Sequence, residues 1–117
     1  MSLSSVMTDK FVVHRETFEH DGHRIAASMI EPVQSFAGAR IPLKGYLGAV
    51  QDLCHKHNIL FVCDEAQTGL SRAGFDLAFQ AEDVKPDLVT LGKAVAGGMY
   101  PVSVLVGKSH VMDATSK

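Results

Sequence analysis

Two residues of this chain combine a reactive side chain with a position just beyond an apolar run. Asp64 directly follows the run 59–63, and Lys93 follows the run 88–91 with one glycine between them. Short apolar runs rich in β-branched and aromatic residues, bounded by polar residues or glycine, predict buried strands. Ligands of open α/β sheets bind beyond the carboxyl ends of the strands. We therefore expect Asp64 and Lys93 to lie in one crevice, although 93 − 64 = 29 residues separate them.

An amine and a carboxylate in one crevice match the needs of a particular cofactor. A lysine beside apolar surface loses part of its preference for the charged form, and a neutral amine condenses with an aldehyde to form a Schiff base. Pyridoxal phosphate requires such a lysine at its aldehyde carbon and an acid at its ring nitrogen. Spacing alone leaves a second interpretation open, in which Lys93 is an exposed loop lysine and Asp64 caps the next turn.

The residues around Asp64 and Lys93 resemble a known enzyme family over residues 14–113. The matching segments, in the family's order, are 31–34 (EPVQ), 64–74 (DEAQTGLSRAG), 84–87 (VKPD), 91–98 (LGKAVAGG) and 99–103 (MYPVS). This chain resembles the class III, or ornithine-type, aminotransferases, which use pyridoxal phosphate. The resemblance implies an α/β fold, part of the fold type I large domain, with a mostly parallel sheet and one antiparallel strand after the lysine.

The resemblance also implies roles for four residues. Lys93 is expected to form the Schiff base with the cofactor and afterwards to carry the α-proton of the substrate. Asp64 is expected to pair with the ring nitrogen, and Gln67 to contact the phenolic oxygen. Ala66 falls where the family usually has a branched residue against the pyridine ring, so the packing there is expected to be thinner.

The reaction that the resemblance implies is transamination. An amino-acid donor, such as ornithine or another ω-amino compound, gives its amino group to a 2-oxo acid acceptor, 2-oxoglutarate, within a homodimer. Ser35 and Phe36 depart from the family, which carries glycine and glutamate there. Because that glutamate is implicated in managing an arginine that binds substrate carboxylate, Phe36 leaves the donor open between ornithine, acetylornithine and 4-aminobutyrate.

The length of the chain raises the question of activity. Members of the family are several hundred residues long, whereas this chain has 117. The phosphate-binding glycine-rich turn and the carboxylate-binding arginine of the family are not among the matching segments. We expect a partial large domain at 14–117, preceded by a frayed tail at 1–13.

The rival hypothesis is a truncated, non-catalytic remnant that acts as a partner-binding module. A third hypothesis, a small flavodoxin-like binding domain, is weakened because no glycine-rich turn follows the first strand and the last strand is expected to be antiparallel.

Composition excludes several other classes of protein. Eleven Lys and Arg against thirteen Asp and Glu, with no basic run, argue against nucleic-acid binding. No apolar stretch approaches the roughly 18–20 residues that span a bilayer. With no secretory signal or transit peptide recognised, we expect the cytoplasm or the mitochondrial matrix. Cys54 and Cys63 fall on a predicted helix and strand, and we interpret both as core residues rather than a disulfide.

Metal and nucleotide sites are not predicted. His55 and His57 lie two residues apart on a predicted helix and so point to different sides. Gly92 and Lys93 do not make a P-loop, because Asp87 and Ala94 occupy the positions where that motif requires glycine and Ser or Thr.

The elements that position the two key residues follow from periodicity. Apolar residues at three- and four-residue steps predict an amphipathic helix over 43–57. This helix is expected to connect a strand at 25–30 to the parallel strand at 59–64. Only seven residues separate Lys93 from Pro101. Because a parallel crossover needs about a dozen residues or more, the strand at 101–106 is expected to run antiparallel to its predecessor. A sheet with so few covering helices is expected to leave large apolar patches exposed.

Overall fold

The computed structural model describes residues 3–115, and its central element is a four-stranded sheet in the order β1-β2-β3-β4. The strands are β1 (Ala27–Ile30), β2 (Leu60–Asp64), β3 (Leu88–Leu91) and β4 (Val104–Gly107). The first three are parallel, and β4 is antiparallel to β3. The predicted topology is thus confirmed, including the reversal after the lysine.

Helix α2 (Tyr46–Lys56) follows the predicted apolar stripe. It begins after Gly45, which adopts φ +88° and therefore cannot belong to a right-handed helix. Its buried face is formed by Tyr46, Leu47, Val50, Leu53 and Cys54. Asn58, at φ +55°, ends the helix and turns the chain into β2.

The N-terminal helix α1 (Leu3–Asp21) occupies a segment where the sequence predicts a tail. The frayed tail predicted at 1–13 is wrong from Leu3 onward, because the helix begins at that residue; residues 1–2 lie outside the described part. The serine-rich composition suggested a tail, but 3–13 contain neither glycine nor proline, the two residues that a helix interior disfavours most. Helix α3 (Ser109–Met112) and short 3₁₀ turns at Gly22–Arg24, Ala78–Glu82, Lys93–Ala96 and Asp113–Thr115 complete the described elements.

The core lies between one face of the sheet and helices α1 and α2. Its buried residues are Phe18, Ile30, Tyr46, Leu47, Val50, Leu53, Cys54, Ile59, Phe61, Cys63 and Val84. The opposite face of the sheet is largely open, with Met29 and Leu105 about half exposed. The expectation of exposed apolar surface on this sheet is therefore confirmed.

Both cysteines are free and buried, as the sequence predicted. Burial, with a smaller effect of the Asp87 charge, raises the pKa of Cys54 to about 11. Burial, with the Glu65 charge, raises the pKa of Cys63 to about 12. Both thiols are therefore protonated at neutral pH, and they serve as apolar core groups rather than as nucleophiles.

Asp87, in the turn before β3, ties three strands together. Its Oδ2 accepts a 2.8 Å hydrogen bond from the Phe61 N–H in β2. Its Oδ1 accepts a 2.7 Å hydrogen bond from Lys108 Nζ, just beyond β4. Burial raises the pKa of Asp87, but the hydrogen bonds from Lys108 and Phe61, with the charges of Lys108 and His55, outweigh burial and lower the pKa below its usual value.

Asp87→Asn is expected to lower the free energy of unfolding by about 1.5–3 kcal/mol at pH 7, the usual contribution of a hydrogen bond to a charged group. Because the folded pKa is lowered, this stabilisation is fully present above pH about 4, the unfolded pKa, and is lost as the pH falls through the folded value. Urea unfolding at pH 7 and at stepwise lower pH measures the difference, with the exposed Asp52→Asn as control. A difference that stays constant down to the lowest pH at which the chain folds would contradict this role.

Candidate cofactor site

Asp64 is the last residue of β2 and lies half-buried at the carboxyl end of the sheet. Its Oδ1 accepts a 2.8 Å hydrogen bond from Thr90 Oγ1 and a 3.0 Å hydrogen bond from the Ala66 N–H. Asp64 therefore caps the following turn, as the second interpretation proposed. However, no described residue donates a hydrogen bond to its Oδ2. This oxygen is available to accept a hydrogen bond from a ligand.

Thr90 is a residue that sequence reasoning missed. The parallel register pairs Thr90 in β3 with Asp64 in β2. The hydroxyl therefore orients the carboxylate at one oxygen and leaves the other open. Only the register between the strands reveals this pair, and the register cannot be read from two strands that are 26 residues apart in the chain.

Lys93 begins the 3₁₀ turn Lys93–Ala96, directly beyond β3 and Gly92. Its φ of +44° lies in the left-handed region, which costs a residue with a side chain about 1–3 kcal/mol. Its side chain is exposed, and within the described part of the chain its amine forms no ion pair with a carboxylate. Strained backbone of this kind concentrates at functional sites, so the geometry supports a functional lysine.

Phe36 faces the amine of Lys93. The Lys93 Nζ lies 5.7 Å from the centroid of the Phe36 ring, within the range of a cation–π contact. The ring is 88% exposed. Glu31 fixes the loop that carries Phe36, because its Oε2 accepts hydrogen bonds from the Ser35 N–H at 3.0 Å and the Ser35 hydroxyl at 2.7 Å.

Two cavities at this edge of the sheet contain the predicted site residues. One, of about 510 Å³, is lined by Ala66, Gln67 and Lys93. The other, of about 450 Å³, is lined by Asp64 and Phe36. The structure thus brings Ala66, Gln67 and Lys93 together at one cavity, and Asp64 lines the neighbouring one. Phe36 is near both cavities, because it lines the Asp64 cavity while its ring faces the Lys93 amine.

Glu65 holds the loop that carries Ala66 and Gln67, and sequence reasoning also missed it. It is almost completely buried, with 1% of its surface exposed. Its Oε1 accepts a 2.9 Å hydrogen bond from the Phe79 N–H, and its Oε2 accepts a hydrogen bond from the Thr68 hydroxyl. A buried carboxylate needs such partners to offset the loss of hydration. In the sequence, only its position directly after Asp64 drew attention to Glu65. That position does not tell whether the residue supports the structure or belongs to the site.

These residues fit pyridoxal phosphate in their donor and acceptor types. Asp64 Oδ2 can accept a hydrogen bond from a protonated ring nitrogen, and Lys93 presents a primary amine to an aldehyde. Ala66 and Gln67 line the cavity beside that amine.

The described residues include no cluster of three or more His, Cys, Asp or Glu able to bind a metal. In the same part of the chain, no helix is long and apolar enough to cross a membrane.

Comparison with known proteins identifies the family. The family model for class-III aminotransferases matches residues 7–117. The chain belongs to this family. Ornithine aminotransferase from Emericella nidulans is 48% identical over 98 residues, which make up 84% of this chain and 22% of that protein. The chain thus spans about a fifth of the length of the curated relatives that it matches.

Solved structures agree with the class-III assignment. Acetylornithine aminotransferase from Elizabethkingia anophelis superposes with a TM-score of 0.85 at 44% identity, covering 88% of this chain and 26% of that chain. Ornithine aminotransferase from Toxoplasma gondii superposes with a TM-score of 0.84 at 38% identity, covering 89% of this chain and 24% of that chain, and is described with partial occupancy of pyridoxal phosphate at its active site. Class-III aminotransferases depend on pyridoxal phosphate, and this segment has their fold type I architecture.

Proposed function

We propose that this class-III chain is the lysine-bearing part of an ornithine-type aminotransferase, which transfers the ω-amino group of ornithine to 2-oxoglutarate with pyridoxal phosphate. The observation that carries the proposal is that a carboxylate oxygen and an amine, both able to bind a ligand, lie just beyond the ends of adjacent strands. Asp64 keeps one carboxylate oxygen without a donor, and Lys93 presents its amine to a cavity. Because the chain spans about a fifth of its relatives, the reaction is proposed for the whole protein.

Each site residue has a distinct task in this proposal. Lys93 Nζ would hold the cofactor at its aldehyde carbon, with release of the aldehyde oxygen as water, and its freed amine would accept a proton from the substrate carbon and return it to the cofactor carbon. Asp64 Oδ2 would accept a hydrogen bond from the protonated ring nitrogen and so keep that nitrogen charged. Gln67 would contact the phenolic oxygen, and Ala66 would lie against the ring. When bound, pyridoxal phosphate supplies the electron sink for the pair left on the substrate carbon.

The identity of the donor depends on the surroundings of Lys93. The relatives that match include both ornithine and acetylornithine aminotransferases. Phe36 places an aromatic ring beside the Lys93 amine, where the family has glutamate.

We propose a homodimer for the complete protein. The compartment stays a prediction, the cytoplasm or the mitochondrial matrix, and some matching ornithine aminotransferases are named mitochondrial.

The second candidate function is a non-catalytic, partner-binding module. The observation in its favour is the open face of the sheet, where Met29 and Leu105 remain about half exposed. Apolar residues grouped on an uncovered sheet face are typical of an interface. In this alternative the chain binds a full-length class-III enzyme through that face and performs no chemistry.

In the complete protein with pyridoxal phosphate bound, ornithine is expected to release its aldehyde product in one equivalent per subunit, and faster than 4-aminobutyrate does. A hydrazine reagent that traps aldehydes measures the product in a single turnover, and Lys93→Ala serves as the inactive control. Absence of aldehyde, together with co-elution of the chain with a full-length class-III enzyme, would replace the aminotransferase proposal with the alternative.

A further inference from the structure

Thr90 joins the two strands that carry the candidate site. Its hydroxyl donates a 2.8 Å hydrogen bond to Asp64 Oδ1, at the end of β2. Its main-chain oxygen accepts a 2.9 Å hydrogen bond from the N–H of Glu65, the residue after Asp64. Lys93 follows Thr90 by 93 − 90 = 3 residues, just beyond the end of β3. Thr90 therefore links the acid of the site to the strand that leads to its amine.

The position of the Thr90 hydroxyl is fixed by the sheet. β3 is an inner strand, in which Thr90 pairs with Asp64 of β2 on one side and with Leu105 of β4 on the other. Hydrogen-bonded neighbours on both sides fix the backbone, and a β-branched side chain has few accessible χ1 rotamers. The hydroxyl is therefore already oriented towards Asp64 before any ligand binds.

The second donor to the same oxygen does not replace Thr90. The Ala66 N–H lies two residues beyond Asp64, and its 3.0 Å hydrogen bond to Oδ1 is a local contact of the kind that aspartate forms in many turns. This contact holds the carboxylate to its own turn and not to β3. The hydrogen bond from Thr90 ties the carboxylate to the neighbouring strand, and so to the strand that precedes Lys93.

We propose that Thr90 is a positioning residue for pyridoxal phosphate in this site. Its hydroxyl keeps the Asp64 carboxylate in the orientation in which Oδ2 is open to the protonated ring nitrogen, while Lys93 is open to the aldehyde carbon. The inference rests on the proposed function, because those two atoms of the cofactor determine where the acid and the amine are needed. A ligand-binding side chain that is oriented in advance by a neighbouring residue loses less freedom when the ligand binds.

Thr90→Val tests the role of the hydroxyl, because valine keeps the β-branched shape that a strand favours. In the ¹³C,¹⁵N-labelled chain without cofactor, three-bond couplings to the Asp64 carboxyl carbon report the χ1 rotamer of that side chain. We expect one rotamer in the wild type, an average over several in Thr90→Val, and one again in Thr90→Ser, which restores the hydroxyl. Thr17→Val, on the exposed side of α1, is the control and is expected to leave these couplings unchanged.

The ring nitrogen of the cofactor gives a second readout. Pyridoxal phosphate labelled with ¹⁵N is fixed to Lys93 with borohydride, and its ¹⁵N signal shows whether the ring nitrogen carries a proton. At a pH at which the free reduced cofactor has lost this proton, the wild type and Thr90→Ser are expected to keep it and Thr90→Val to lose most of it. The cofactor concentration that half-labels Lys93 is expected to be about tenfold higher in Thr90→Val, the usual effect of losing one hydrogen bond to a charged group.

Two results would overturn this assignment: a single Asp64 rotamer in Thr90→Val, or an altered rotamer without any change at the ring nitrogen. The second result would leave Thr90 as a residue that only stabilises the sheet. Urea unfolding shows whether each variant is folded, and Thr90→Ala, which also lacks the hydroxyl, replaces Thr90→Val if that variant is not. A wild-type chain without saturable labelling of Lys93 would instead refute the proposed function, and the rotamers of the cofactor-free chain would still decide whether Thr90 orients Asp64.

Discussion

Replacement of Lys93 by alanine is expected to abolish the covalent adduct that the chain forms with pyridoxal phosphate after borohydride reduction. The adduct requires a primary amine beside the bound aldehyde, and no other lysine lines the cavity that holds Gln67 and Ala66. The expected loss exceeds 100-fold at low cofactor concentration, because covalent attachment has no substitute in the site. Intact-mass spectrometry of the reduced protein measures the labelled fraction.

The matched control is Lys85→Ala, which removes an exposed lysine from the turn before β3. It is expected to leave the labelled fraction unchanged. If Lys93→Ala kept the wild-type fraction of adduct, or if Lys85→Ala lowered it as much, the amine that reacts would be a surface lysine and the role of Lys93 would be lost.

Replacement of Glu65 by alanine is expected to lower the free energy of unfolding by about 3–5 kcal/mol. Two hydrogen bonds to a buried charge, each worth about 1.5–3 kcal/mol, disappear together. The buried Thr68 hydroxyl and the partly buried Phe79 N–H then lose their acceptor. Since small domains are stable by only about 5–15 kcal/mol in total, much of the variant should be unfolded in buffer.

Urea unfolding followed by circular dichroism measures this effect. Glu65→Gln keeps an amide oxygen that can accept the Phe79 N–H, so it is expected to lose less stability than Glu65→Ala. Glu16→Ala, on the exposed side of α1, is the control and should change the free energy of unfolding by less than about 0.5 kcal/mol. Equal effects of Glu65→Ala and Glu16→Ala would show that the buried carboxylate does not hold the loop.

The strands and their directions could be predicted because each depends on local signals. Short apolar runs mark the strands, and the short connection from Lys93 to Pro101 forces β4 to reverse. The length of α1 could not be predicted from composition, since a serine-rich segment without glycine or proline suits both a tail and a helix.

The site could be predicted only in part. Asp64 and Lys93 follow from the ends of apolar runs, and their neighbours carry the resemblance to the family. The contacts of Asp64 with Thr90, of Lys93 with Phe36 and of Glu65 with Phe79 join residues far apart in the chain. Such contacts depend on strand register and loop conformation, which no single-residue pattern specifies.

The most direct test of the central claim, that Asp64 and Lys93 form a cofactor site in this chain, is peptide mapping of the wild-type protein. The chain is treated with increasing pyridoxal phosphate, reduced with borohydride and digested, and the labelled lysines are identified by mass spectrometry. A saturable label on Lys93 alone, lost from that residue in Asp64→Ala at limiting cofactor, is the predicted result. Unsaturable labelling spread over the exposed lysines would contradict the claim.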